Sequence, residues 1–327
     1  MHMSDALLSP AVSVAMSAVS GAAIVASVTK LRRTVGSVKV AESGVMGAFV
    51  FAAQMINFAV PGTGSSGHLC GGMLLAAVLG PYLGFLTLSV VLTVQCLLFA
   101  DGGILALGAN IWNMAFYGCI FAGGILWPAI VGKAPSRRRI FAASIIGNVA
   151  ALQLGAFSVV LQTLASNVTE LPFHAFAAMM QPIHLAIGAV EGVITGSVLC
   201  FIYNQRPEML MVDEMNSPLP RLSRKAMLVA VAAMSFVVGG FLSLVASSSP
   251  DGLEWSIEKV AANSNIERSG RIHAEAAMVQ EKAAILPDYS MPGFDSAGGA
   301  VFSGIIGTGI VLMLCAISAF AVNRKRL

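Results

Sequence analysis

The chain has 327 residues, of which 57% are hydrophobic and 11% charged, with a mean hydropathy of +0.82, whereas a soluble domain carries about a quarter charged residues. That balance excludes an ordinary soluble enzyme and reads as a polytopic membrane protein. The net charge of +3 gives no argument for nucleic-acid binding, and the five cysteines, Cys70, Cys96, Cys119, Cys200 and Cys315, contain no CxxC pair that would suggest a disulfide framework or a thiolate metal site.

Met1 and His2 open the chain with three nitrogens in sequence: the α-amine, the His2 amide and Nδ1 of the His2 ring. These can close two fused chelate rings around one ion, and a fourth nitrogen in the same plane suits Cu(II) or Ni(II). The start has no basic n-region and carries Asp5, so it does not read as a cleavable signal peptide. Met1 and His2 are therefore expected to persist on the outer face of the membrane.

Apolar runs suited to a ~30 Å hydrocarbon core fall near residues 10–29, 40–60, 69–80, 82–100, 104–131, 140–165, 181–203, 226–247 and 297–322. The third is too short to cross unless tilted or extended. Lys and Arg mark the cytoplasmic side of a span. Here Lys30, Arg32, Arg33 and Lys39 follow the first span, and Lys133, Arg137, Arg138 and Arg139 follow the fifth. Arg206, Arg221, Arg224 and Lys225 follow the seventh, and Arg324, Lys325 and Arg326 the ninth. The remaining four of the 19, Lys259, Arg268, Arg271 and Lys282, share one loop between the last two spans. The pattern predicts an all-α protein of about nine transmembrane helices, amino terminus outside and carboxyl terminus inside. Merging spans three and four would invert everything after them.

The predicted organisation is a seven-helix bundle over 1–205, a polar linker over 206–225 with Pro207, Pro218 and Pro220, and a two-helix hairpin over 226–327 around an outer loop, 248–296. The first span carries a small-residue stripe, Ala11, Ala15, Ala18, Ala22 and Ala26, of the kind that admits close helix approach. After the second span comes Pro61-Gly62-Thr63-Gly64-Ser65-Ser66-Gly67-His68. Its glycines permit a tight loop that re-enters toward the membrane, and His68 is the best candidate for the fourth nitrogen.

Polar residues inside spans are costly and gather at sites. Gln54, Asn57, Gln95, Asn110, Asn113 and His184 all fall in the outer layer, with Asp101 in the turn Asp101-Gly102-Gly103. Together with Asp5 and Ser66, they are expected to support the ligands rather than to bind the ion, with Gln95 a member of the same layer. Glu191 lies deeper, on the helix face of His184, as a structural carboxylate, a proton-coupling group or part of a partner-responsive surface. His273, in the charged outer loop, is expected to be solvent-exposed.

Together these residues resemble the substrate-binding S component of nickel and cobalt energy-coupling-factor transporters, fused to the small two-span accessory subunit. The resemblance is carried by Met1-His2, by Gly67-His68-Leu69 with Gly71-Gly72, by Phe99-Ala100-Asp101-Gly102-Gly103 through Asn110, by His184-Leu185 through Glu191-Gly192, and by Pro250-Asp251-Gly252-Leu253-Glu254-Trp255 for the accessory part. Met3-Ser4 departs from the family's more usual aliphatic residue and proline, and the glycine loop is slightly longer. The resemblance implies a square-planar site made of the Met1 amine, the His2 amide and ring, and the His68 ring. It implies uptake of Ni(II), with Co(II) the alternative ion, across a bacterial or archaeal plasma membrane, in a complex with a transmembrane T component and two ATPase subunits. The chain carries no catalytic cofactor and no nucleic-acid partner in this reading. It also lacks a phosphate-binding GxxxxGK[ST] loop, since Gly132-Lys133 is followed by Ala134, so hydrolysis is assigned to the partners. A different class, an intramembrane serine protease, would use Gly64-Ser65-Ser66-Gly67 with His184 as base to Ser66, but leaves Met1 and His2 unexplained.

Overall fold

A computed structural model describes residues 1–31, 36–169, 171–212, 222–261, 270–291 and 296–323. Arg32, Arg33, Pro218, Pro220, Arg221, Arg268, Arg324, Lys325 and Arg326 lie outside the described residues. The chain is a multi-pass helical membrane protein. Among the described residues six helices are long and apolar enough to cross a bilayer: Pro10–Leu31, Pro81–Leu98, Leu107–Val131, Arg137–Ser166, Phe173–Gln205 and Gly298–Ala321.

α1 (Pro10–Leu31) packs through hydroxyls. Ser13, Ser20 and Ser27 recur on one face and are buried, and Ser20 Oγ donates to the Gly108 carbonyl at 2.6 Å. The alanine stripe points the other way, with Ala11, Ala15, Ala18, Ala22 and Ala26 all exposed. α2 (Ser37–Gln54) begins with Lys39 and Glu42, so it starts earlier and is more polar than the apolar run alone implies.

The glycine loop does turn inward. β1 (Phe58–Val60) and β2 (Ser65–Gly67) form an antiparallel hairpin pairing Phe58 with Gly67, Ala59 with Ser66 and Val60 with Ser65, and every residue of β2 is buried. Gly71, at φ +80°, then redirects the chain, and a Cβ there would lie 2.5 Å from the Val50 side chain, so only glycine fits this turn. α3 (Gly72–Leu79) follows, with all eight residues buried. At 1.5 Å per residue it is about 12 Å long, too short to cross alone. The third apolar run is therefore the turn at Gly71 and a short buried helix, entered from the hairpin before it.

α4 (Pro81–Leu98) returns after Gly80. α5 (Leu107–Val131) includes a π-wound stretch over Ile111–Leu126, and its Gly118 meets α3 backbone to backbone, since a Cβ there would sit 2.9 Å from Gly72 Cα. α6 (Arg137–Ser166) and α7 (Phe173–Gln205) form a long adjacent pair, joined through Asn167 in a left-handed conformation. The rest of the chain supplies α8 (Arg224–Gly240), α9 (Gly252–Val260), α10 (Arg271–Ala283) and α11 (Ser296–Asn323), with α8 and α11 packed on α2.

Two layers tie the C-terminal helices to the bundle. At the end remote from Met1, the buried Glu42 faces Lys39 at 2.9 Å and Arg224 of α8 at 3.4 Å. At the Met1 end, α10 lies against the amino-terminal segment. His273 is only 4% exposed there and its Nε2–H donates to the Leu8 carbonyl at 2.9 Å, which corrects the expectation of a solvated histidine. The buried side of α10 carries His273, Ala276 and Gln280, with Gln280 Nε2 donating to the Cys96 and Gly102 carbonyls, and a histidine on that side satisfies the Leu8 carbonyl.

Candidate metal centre

The first eight residues thread into the bundle because their backbone is matched by side chains beneath. Asn110 clamps residue 3 from both sides: the Met3 N–H donates to its Oδ1 at 2.8 Å, and its Nδ2 donates to the Met3 carbonyl at 3.1 Å. The Gly103 N–H also donates to that carbonyl at 2.9 Å, and Asp5 Oδ1 accepts the Ala106 N–H at 3.1 Å. Asn113 forms a reciprocal amide pair with Gln162, 2.7 and 2.9 Å, and reaches the Met3 sulfur at 3.5 Å. These contacts bury Met1, Met3 and Asp5, and so bring a chain terminus into the interior.

The hairpin brings His68 to the same place. Gln54 Nε2 donates to the Cys70 carbonyl at 2.9 Å, with Gln95 behind it at 2.8 Å, and Glu191 Oε1 accepts the Gly71 N–H at 2.8 Å. Ser66 is held from the C-terminal side: its N–H donates to the Pro250 carbonyl at 2.8 Å and its hydroxyl to the Ser249 carbonyl at 2.7 Å.

At the centre, the Met1 amine lies 3.3 Å from His68 Nε2. His68 Nδ1 is 3.1 Å from the Leu69 carbonyl, which can only accept, so Nδ1 carries the proton and Nε2 presents a lone pair. The His2 ring stacks on His68 with centroids 5.3 Å apart and planes 19° from parallel. Its Nδ1 stands 3.3 Å from Asp101 Oδ1, and Asp101 Oδ2 accepts the Tyr289 hydroxyl at 2.7 Å. Asp251 Oδ2 pairs with the Met1 amine at 2.5 Å. A cavity of about 20 Å3 remains between Met1, His68, Cys70, His184 and Asp251, room for about one water.

Burial dominates the electrostatics. It pushes His68 down to about 3, helped by the adjacent amine charge, and lowers His2 despite Asp101. Both rings are thus neutral near pH 7, the form that binds metal. Burial opposes ionisation of Asp251, but the amine beside it outweighs burial and holds that carboxyl well below the usual carboxylate range.

The structure brings together Met1, His2, His68, Asp101 and His184, whereas Asp5, Asn110, Asn113, Gln54, Ser66 and Glu191 act one step back on the backbone that carries them. His184 faces the cavity, its Nδ1–H given to the Met180 carbonyl at 2.8 Å. Asn57 contributes its backbone carbonyl to Ser247 N–H at 2.7 Å and lines the wider opening outside. Ser66 and His184 spend their protons on backbone carbonyls rather than on each other, so this serine is not set up as a nucleophile. Among the described residues no three His, Cys, Asp or Glu side chains converge to hold an ion by themselves. Sequence reasoning missed Asp251, Tyr289 and Gln162. For Asp251 the available signal was the spacing to Glu254, which together form the capping box at the start of α9.

Residues 2–209 match the CbiM family model, described as the cobalt uptake substrate-specific transmembrane region, and residues 225–324 match the PDGLE domain. A putative fused nickel transport protein of Archaeoglobus fulgidus is 34% identical over 99% of this chain and 98% of its own length. A fused nickel transport protein of Rhodobacter capsulatus is 28% identical over 98% and 97%. The crystal structure of a transition metal transporter, 31% identical, superposes with a TM-score of 0.54 over 62% of this chain and 92% of that one.

Proposed function

The chain belongs to the CbiM family of cobalt-uptake substrate-specific transmembrane regions and carries a PDGLE domain behind it, and from that premise we propose that it captures Ni(II) on the outer face of the membrane for import. The ion is held in a plane by the Met1 amine, the deprotonated His2 amide, His2 Nδ1 and His68 Nε2. The observation that carries this reading is the buried approach of the Met1 amine to a His68 lone pair at 3.3 Å. Adjacent donors on an ion with metal–nitrogen bonds of about 2 Å stand about 3 Å apart in a plane, so two corners of the square are nearly in place. The amide lies between amine and ring by connectivity. The His2 ring completes the set by turning Nδ1 away from Asp101.

In this proposal residues 1–205 form the substrate-binding S component, 206–225 a cytoplasmic linker and 226–327 the accessory module. Nine crossings put the amino terminus outside and the carboxyl terminus inside, the short buried α3 and its hairpin counting as the third. A transmembrane T component and two ATPase subunits supply the driving force, so this subunit is not itself an enzyme. Glu191 serves as the buried acceptor that pins Gly71. Nickel is favoured over cobalt by the all-nitrogen plane, since Co(II) more readily takes other geometries, and the fused relatives named for nickel support the same choice. Titration of purified protein with Ni(II) and Co(II), with the native terminus retained, tests it. Tight Ni(II) binding with the visible absorption and diamagnetism of a planar d8 ion is expected. Tighter Co(II) binding, or a paramagnetic six-coordinate Ni(II) signal, refutes it.

A further inference from the structure

Asp251 touches the site without being one of the four nitrogens, and its two oxygens are divided between two tasks. Oδ1 accepts the Leu253 and Glu254 N–H groups, each at 2.8 Å, and so caps α9, while Oδ2 faces the Met1 amine at 2.5 Å. The cap fixes the carboxylate to the helix start, and the Pro250 and Ser249 carbonyls fix that segment to Ser66 of the His68 hairpin. Oδ2 is therefore held where the amine is, whatever the amine binds.

The charges make that position informative. With the amine as an ammonium, one positive charge faces one carboxylate. With Ni(II) bound through a deprotonated amide, the complex again carries one positive charge, and the same carboxylate cancels it. A coordinated primary amine keeps two N–H bonds, one of which can still donate to Oδ2. The other nearby carboxylate, Asp101, is 26% exposed and already takes the Tyr289 hydroxyl, whereas Asp251 is 16% exposed. A buried complex left with an uncancelled charge would be strongly disfavoured.

We infer that Asp251 is a positioning residue for the cargo ion, supplied by the C-terminal module: it hydrogen-bonds the metal-bound terminal amine and neutralises the loaded complex without coordinating the metal. This rests on the four-nitrogen reading and adds a fifth, non-coordinating group to it.

The test is a competition titration with Ni(II) against a chromogenic chelator, on full-length protein with its native terminus. Asp251→Asn keeps a good helix cap and removes the charge. It should lower affinity about 10- to 100-fold, as losing a partner that supports a ligand does, while the absorption spectrum of the bound ion stays that of the native protein. Asp251→Ser, a second neutral cap, gives the same reading if the Asn variant does not fold, and Asp251→Glu should recover part of the loss. Trp255→Phe removes another docking hydrogen bond of the same segment, Nε1–H to the Thr63 carbonyl at 3.0 Å, and should change affinity less than about threefold. Tight native binding with the neutral variants also within threefold overturns this inference alone. So does an equal loss in Trp255→Phe, which would reduce Asp251 to docking, or an altered bound-state spectrum, which would make it a ligand. Failure of the native protein to bind Ni(II) tightly overturns the four-nitrogen reading beneath it.

Discussion

Adding two alanines before Met1 is the most discriminating perturbation of the proposed site; a single one would create Ala-Met-His, whose amine, two amides and ring make a four-nitrogen plane of their own. It converts the amine to an uncharged amide nitrogen, removes one corner of the square and leaves Asp251 without its partner. The structure sets the scale. The paired groups are 6% and 16% exposed, and removing one member of a buried ion pair costs about 3–5 kcal/mol. The adjoining cavity of about 20 Å3 holds about one water, so the roughly ten heavy atoms of two alanines cannot enter without displacing residues 1–3 from the Asn110 clamp. A ligand counts for more than the groups that merely support it, whose loss costs 10–100-fold. The expected fall in Ni(II) affinity therefore exceeds about 100-fold. Competition titration measures it, mass spectrometry verifies the terminus, and removal of the extra residues by a site-specific protease should restore binding. An extended protein that binds within threefold of native would refute the amine as a ligand, and the planar site with it.

Two other predictions concern the scaffold. His68 is held down to about 3 against an ordinary 6.5, so as pH falls through 6.5 the unfolded chain takes up a proton that the folded chain refuses. Metal-free stability should be fully present above about pH 6.5 and decline as pH falls toward 3; thermal unfolding across this window should show a flatter profile for His68→Ala. Gly118→Ala would put a methyl 2.9 Å from Gly72 Cα, an overpacking that costs about 1–3 kcal/mol and displaces α3 beneath the His68 hairpin. Gly21→Ala, with nothing within 4 Å of the new carbon, should instead raise the unfolding midpoint slightly, because alanine is favoured over glycine inside a helix by about 0.5–1 kcal/mol.

The parts legible in the sequence were those that follow from local chemistry. Connectivity alone puts three nitrogens together at Met1 and His2, which the fold buries beside His68, and the spacing of glycines around His68 announces a loop able to turn inward. What stayed hidden depends on which surfaces meet. The same 3.6-residue periodicity generates both faces of α1, and the sequence alone did not show that the face packed within this chain is that of Ser13, Ser20 and Ser27. The run 69–80 has the hydropathy of a crossing helix, but Gly71 breaks it and leaves eight helical residues buried on all sides. Asp251 and His273 read as loop polars because their partners, the chain terminus and the Leu8 carbonyl, lie 250 and 265 residues away.

The position of α9 against the hairpin has a consequence for assembly. Because the segment that holds Asp251 shares a polypeptide with His68, its docking is an intramolecular event, governed by an effective concentration in the millimolar range for a short tether instead of by expression level. Each binding site then owns one copy of its counter-charge, in fixed one-to-one stoichiometry. A separately encoded accessory chain with the same contacts would instead leave a fraction of sites unassisted that rises as the partner becomes scarce.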